Sequence, residues 1–269
     1  MRQYCRLLFI AAFLISSAFV SAGTGAASDL TPREVAERLF QAKPGERLNF
    51  ADYNFSLIDL SRLDFKGAIL KGADLYGTDL TDADLAGADL SGTRLDRATI
   101  IRTDFSNADL TRATLLLPTT FSSTEFNRAD AARFAGARLV RVRVLARLDG
   151  ANFRGADLTD ADFAPAELRS GTVSSEPASH LEGADFSGAI LRDTNLTLAA
   201  LAFAKFRDAD VTNANFKGAD LTGADFSGAD IAGSDFTGAN LMDANLSGAR
   251  GLKSAKGIGD VRSAVKELP

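Results

Sequence analysis

Every fifth residue from Phe50 to Leu115 is Phe, Leu or Ile, and the same holds, with a single Val, from Leu181 to Leu246. Two places before most of these stands Ala or another small residue, and one place before stands, very often, Asp or Asn. The stretch Ala214-Asn215-Phe216-Lys217-Gly218-Ala219-Asp220-Leu221-Thr222-Gly223 shows the unit, A(D/N)(L/F)xG, undiluted. A helix buries one face with a period of about 3.6 and a strand with a period of about 2, so a period of five fits neither. It calls for a chain that turns through a fixed angle at each unit and stacks on itself, so that each unit contacts only its neighbours.

This pattern, sustained over most of 48–251, resembles the pentapeptide-repeat family. The resemblance implies an all-β fold, a right-handed quadrilateral parallel β-helix in which four units make one square coil. The residue pattern agrees: only the central residue and the small residue two places earlier are consistently apolar or small, so these two face inward. Coils stack ~4.8 Å apart like neighbouring strands, and equivalent positions then recur every 20 residues. Phe186, Phe206 and Phe226 are expected in one column, Phe216 and Phe236 opposite, and Leu181, Leu201, Leu221 and Leu241 in another. Eight or nine coils give a rod on the order of 40 Å long.

Around the repeats the chain divides into four segments. Residues 1–22 read as an export signal. Arg2 and Arg6 open it, Leu7 to Val20 is apolar, and Val20-Ser21-Ala22 offers small residues at a cleavage spacing. An uncleaved anchor is the competing reading and the only membrane attachment expected. The single cysteine, Cys5, precedes the apolar run, so a cleaved chain would contain no disulfide. Residues 23–47 hold a linker and a capping helix over Asp29 to Lys43, opened by Thr31, Pro32 and Glu34, with Val35, Ala36, Leu39 and Phe40 on one face and Pro44-Gly45 ending it. Residues 48–251 are the β-helix. Its first four small-residue slots carry Leu48, Tyr53, Ile58 and Leu63, which suggests a wider or less regular first coil. The phase slips within 116–147 and again at 174–180, where bulges or protruding turns are expected; between them runs Leu148, Phe153, Leu158, Phe163, Leu168 and Val173. In 252–269, Asp260 opens a short helix carrying Val261, Ala264, Val265 and Leu268, which caps the last coil or pairs with a second copy of the chain.

The charge pattern restricts function. Net charge is −5, and −7 without the leader, from 28 basic and 35 acidic residues. That argues against direct nucleic-acid binding, which draws its affinity from neutralised phosphates. One histidine, His180, stands at a phase slip without a second His or a Cys to complete a site, so neither an enzyme, a metal centre nor a cofactor is expected. Two charge features remain. Asp64, Asp84 and Asp104 should stack on one face and Asp89 with Asp109 on another. Such ladders imitate a phosphate backbone, bind a cation, or simply bond the neighbouring backbone amides. Arg128, Arg133, Arg138, Arg141, Arg143 and Arg147 crowd a segment whose only acid is Asp130. They either dock an acidic protein partner or balance aspartates in adjacent coils. The reading is a non-enzymatic exported solenoid, a protein-binding or structural scaffold of the periplasm or an equivalent compartment. The alternative, implied by the resemblance, is a cytoplasmic DNA mimic that binds and regulates a type II topoisomerase, gyrase.

Overall fold

The computed structural model describes residues 30–65, 67–122, 127–165 and 179–258. The leader, Asp29 and the C-terminal helix residues Val261, Ala264, Val265 and Leu268 lie outside them, as do Phe126, Leu168, Val173 and the slip at 174–178. The described chain is a right-handed square coil of parallel rungs. Each pentapeptide gives one rung residue, the one before the central residue, and pairs it with the coils on either side. Numbered in chain order, face one starts Asn49, Ile69, Asp89, Asp109; face two Asn54, Asp74, Arg94; face three Asp59, Asp79, Thr99; face four Asp64, Asp84, Asp104. Ile69 illustrates the ladder: its N–H donates to Leu48 O at 2.8 Å and its carbonyl accepts from Phe50 N at 2.7 Å. Among the described residues, pairing lengthens into strands only on face two, β1 (Thr114–Leu116) and β2 (Arg143–Leu145).

The corners explain the period. After the central residue of a regular unit the chain makes a tight turn, as in Ala68 N donating to Phe65 O at 2.8 Å, and the third residue of the turn has positive φ. That is the requirement of a type II turn, which favours Gly or Asn there. Gly87 shows the requirement in isolation: φ is +67° and a Cβ would meet nothing within 4 Å. Gly87→Ala is therefore expected to cost only the left-handed backbone term, ~1–2 kcal/mol. At Gly251 an added Cβ would also collide with the backbone of Ala232. Gly251→Ala should lose more stability than Gly87→Ala in a denaturant titration of the two variants.

The interior is built from columns. Phe105, Phe134, Phe153, Phe186, Phe206 and Phe226 stack ring on ring, with successive centroids 5.0, 4.9, 4.8, 5.1 and 4.6 Å apart. Phe216 and Phe236 stack at 4.9 Å on the opposite side and meet Phe226 edge to face. The alanine slots are buried between them, and where Thr or Ser replaces Ala the hydroxyl donates to a backbone carbonyl, as Thr78 does to Phe55 O at 2.7 Å. These hydroxyls are buried without being left unpaired, which removes the cost of placing a polar group inside.

Helix α1 (Pro32–Gln41) closes the first coil with the expected capping box between Thr31 and Glu34. Val35 and Leu39 are buried, but Phe40 is 90% exposed and does not belong to the packed face. At ~100° per residue, Phe40 lies about 100° around the helix from Leu39 and about 140° from Val35, so it points away from the buried Val35–Leu39 stripe. The first coil is not irregular either. Asn49, Asn54, Asp59 and Asp64 pair at the same interval of 20 as later coils. Leu48, Tyr53, Ile58 and Leu63 are partly buried against the core, with Tyr53 packed on Phe50 and Phe55, where α1 rather than another coil lies beyond.

Two of the slips resolve into added chain at corners, and the slip between Val144 and Leu148 removes one residue, so that Arg133, Arg138 and Arg143 pair with Asn152, Asp157 and Asp162 at an interval of 19. Face four passes from Asp104 to Arg133, nine residues late, and face two from Asp162 to Asn195, thirteen late. The extra residues leave between Thr119 and Arg133 and between Asp162 and His180, at the two corners that flank face three. Residues 133–144 themselves are regular units, so the irregular stretch is shorter than 116–147. His180 is not a loop residue: it is a rung on face three, paired with Arg147 and Ala200. At the far end, Lys256 pairs with Asp235, so the coil runs past Gly251.

Candidate interaction surface

The rung side chains alternate outward, and their chemistry follows from local geometry. Asp84 Oδ1 accepts from Ala86 N at 2.9 Å, Asp104 from Ser106 N at 2.9 Å, Asp89 from Ser91 N at 3.0 Å and Asp109 from Thr111 N at 2.9 Å. One carboxylate oxygen is thus committed to the turn, an Asx-type bond that Asn makes equally well at Asn152 and Asn215. Asp64, Asp84 and Asp104 form consecutive rungs of face four, and Asp89 and Asp109 of face one. Both ladders end on an arginine. Arg133 Nη2 lies 3.1 Å from Asp104 Oδ2, and Arg138 Nη1 lies 3.8 Å from Asp109 Oδ2. Among the described residues no group of three or more His, Cys, Asp or Glu converges to hold a metal ion.

The six arginines do not form one patch. Each pentapeptide turns the chain a quarter, so Arg133, Arg138, Arg143 and Arg147 stand on faces four, one, two and three in succession. They make a girdle around one coil. Arg143 pairs with Asp162 on the same face, Arg147 with Asp149 at 2.7 Å, and Arg141, at a corner, with Asp160 at 3.1 Å. Arg128, in the 3-10 turn Arg128–Asp130, donates to Gly183 O at 3.2 Å. Charge balance between coils accounts for most of these side chains, and the four rung arginines do not share a face.

Two carboxylates that the sequence pattern did not single out anchor the altered coil. Asp130 is buried and accepts from Ser122 N at 3.1 Å, Ser122 Oγ at 2.6 Å and Arg102 Nη1 at 2.9 Å. Asp149, also buried, accepts from Glu182 N at 2.9 Å as well as from Arg147. The available signal was Asp130 itself, a lone acid among arginines. Among the described residues, the exposed Leu57, Leu117 and Leu198 share one corner but stand three coils apart.

Several aspartates are more acidic than usual. The Thr237 hydroxyl and then the Thr237 amide and Lys217 hold Asp235 down at about 2. The Arg102 guanidinium lowers Asp82. Partial burial works against ionisation of Asp104, yet Ser106 and then Arg133 outweigh it and lower the pKa. Depressed in the fold, these groups add stability above the ordinary carboxylate pKa of about 4, and that stability is lost as pH falls toward 2. The melting temperature should be flat near neutrality and fall below about pH 4. Asp235→Asn keeps the oxygen for the turn but not the charge. It should lower the melting temperature at pH 7 and shrink the difference between pH 7 and pH 3; calorimetry at the two values checks this.

Comparison with known families supplies the deciding observation. The pattern of the Pentapeptide repeats family matches in eight copies, over residues 47–82, 78–115, 146–170, 179–218 and 219–250. The chain belongs to the pentapeptide-repeat family. The family pattern leaves out two internal stretches, 116–145 and 171–178, and the first contains the first added corner and most of the girdle of this pentapeptide-repeat protein. Among solved structures it is similar to HetL, a pentapeptide-repeat protein involved in heterocyst differentiation regulation in the cyanobacterium Nostoc sp. strain PCC 7120. The identity is 30%, over 84% of this chain and 94% of that one, with a TM-score of 0.35. It is also similar to Rfr23 from the cyanobacterium Cyanothece 51142, with 23% identity over 46% and 90% and a TM-score of 0.38. A third is QnrB1, a plasmid-mediated fluoroquinolone resistance protein, with 20% identity over 76% and 89% and a TM-score of 0.35. Comparison with curated proteins gives no match.

Proposed function

We propose that this pentapeptide-repeat protein is an exported, non-enzymatic scaffold that binds a protein partner in the periplasm or an equivalent compartment. The observation that carries the reading is the combination of a basic-then-apolar leader with a continuous rod whose outward side chains sit in fixed ladders. Such a surface is rigid before binding, so little ordering entropy opposes association. Face three, bounded by the two added corners, is the part that differs most from its neighbours and is the proposed docking face. N-terminal sequencing of the protein from fractionated cells tests the localisation. A mature chain starting near Gly23 in the periplasm is expected; an intact Met1 in the cytosol overturns the reading.

A second reading, the cytoplasmic DNA mimic acting on gyrase, is favoured by one observation, the aspartate ladders on faces one and four. Those ladders are two and three rungs long before an arginine interrupts each. Phosphate mimicry along a duplex needs a longer unbroken row of negative charge, so export and scaffolding remain the first reading. Gyrase supercoiling assays with purified protein separate the two: inhibition or protection by sub-stoichiometric protein supports the mimic, and no effect supports the scaffold.

A further inference from the structure

On the corner between faces one and two lies an open depression of about 510 Å³, lined by Lys71, Ser91, Gly92, Thr111, Arg112, Arg138, Val140 and Arg141. It runs over four successive coils, the rungs Ile69, Asp89, Asp109 and Arg138 marking them, and so spans ~14 Å along the rod. Four of its eight lining residues are cationic in a protein of net charge −5. Two of the four are engaged: Arg138 lies 3.8 Å from Asp109 and Arg141 lies 3.1 Å from Asp160. Lys71 and Arg112 have no carboxylate within salt-bridge distance among the described residues. Asp89, on the same face, commits an oxygen to the amide of Ser91, and Asp109 to that of Thr111. Between the cations Gly92 leaves the floor open, since a Cβ there would meet nothing within 4 Å. The Thr111 hydroxyl is buried and has no hydrogen-bond partner among the described residues.

From this arrangement we propose that the corner is a binding site for a small ligand carrying two or more phosphate groups. The depression has the size of a small-molecule site rather than of a macromolecular interface. Guanidinium forks pair bidentately with phosphate oxygens, and Lys adds a point charge at the other end. Among the described residues Val140 is the only large apolar side chain of the lining and no aromatic ring joins it, so the lining offers no stacking surface for a base. The ligand is recognised by its charges and their spacing. The site is independent of where the protein resides and of which protein it docks.

Isothermal titration of the full chain with sodium pyrophosphate, at fixed ionic strength, tests the assignment. Lys71→Ala removes an exposed side chain, and Arg112→Gly suits a residue whose φ is +61°. Both variants should therefore fold, which an unchanged far-ultraviolet spectrum confirms. Arg97→Gly is the matched control, since Arg97 is also exposed with φ of +57° but stands one corner away. Saturable one-to-one binding is expected, weakened at least tenfold by Lys71→Ala with Arg112→Gly and unaltered by Arg97→Gly. Three results overturn the proposal: no saturable binding, an equal loss in the Arg97→Gly control, or citrate binding as tightly as pyrophosphate. Lys71→Ala alone, with the native Arg112, provides the same comparison should the double variant misfold.

Discussion

Phe206→Ala is expected to lower unfolding stability by ~3–5 kcal/mol, the range for removing a fully buried aromatic side chain and leaving a cavity. Phe206 has no exposed surface, is stacked between Phe186 at 5.1 Å and Phe226 at 4.6 Å, and meets Phe216 edge to face at 5.7 Å. The rungs above and below are fixed by hydrogen bonds 2.7 to 2.9 Å long from Phe206 N and Lys205 N, so the coil cannot collapse into the gap. Urea titrations of wild type and variant measure the loss. A change below about 1 kcal/mol would mean that the ring column contributes little beyond its neighbours' burial.

Ala224→Leu is expected to destabilise by ~1–3 kcal/mol, from overpacking. Ala224 is fully buried between the columns of Phe226 and Leu221, and its slot has already been matched in size by Ala204 in the coil before and Ala244 in the coil after. The contrast with the first coil sharpens the test. There Leu48, Ile58 and Leu63 occupy the same slot, since helix α1 rather than another coil faces them. Ile58→Ala should thus cost stability where Ala224→Leu does, and the two thermal melts side by side check the sign at both ends of one design.

What could be read from the chain alone follows from where the repeat is intact. Phe186, Phe206 and Phe226, and Phe216 with Phe236, were legible as columns because an interval of 20 is arithmetic once four units close a square. The capping box of α1 was legible because Thr31 and Glu34 satisfy each other locally. Phe40 was not, because apolarity alone cannot say whether the coil reaches that side of the helix. The arginine segment spreads around the rod for a geometric reason: neighbours in sequence at steps of five are a quarter-turn apart in space. Conversely Lys71, Arg112 and Arg141 are distant in sequence and share a corner, and aligning them requires knowing that nine residues were added after Thr119. An insertion's length is visible in the sequence, but the corner from which it leaves depends on which rungs pair across it.

The ring column crosses both added corners without a break: Phe105 meets Phe134 across 29 residues and Phe153 meets Phe186 across 33, at the same separation as rings 20 apart. The fold therefore counts storeys and ignores how much chain is spent between them. Lengthening one corner costs little closure entropy, about 0.6 kcal/mol for each doubling, and displaces no other part. A protein of this kind can exchange the segments by which it is recognised while its trunk stays the same, as a mast carries different rigging.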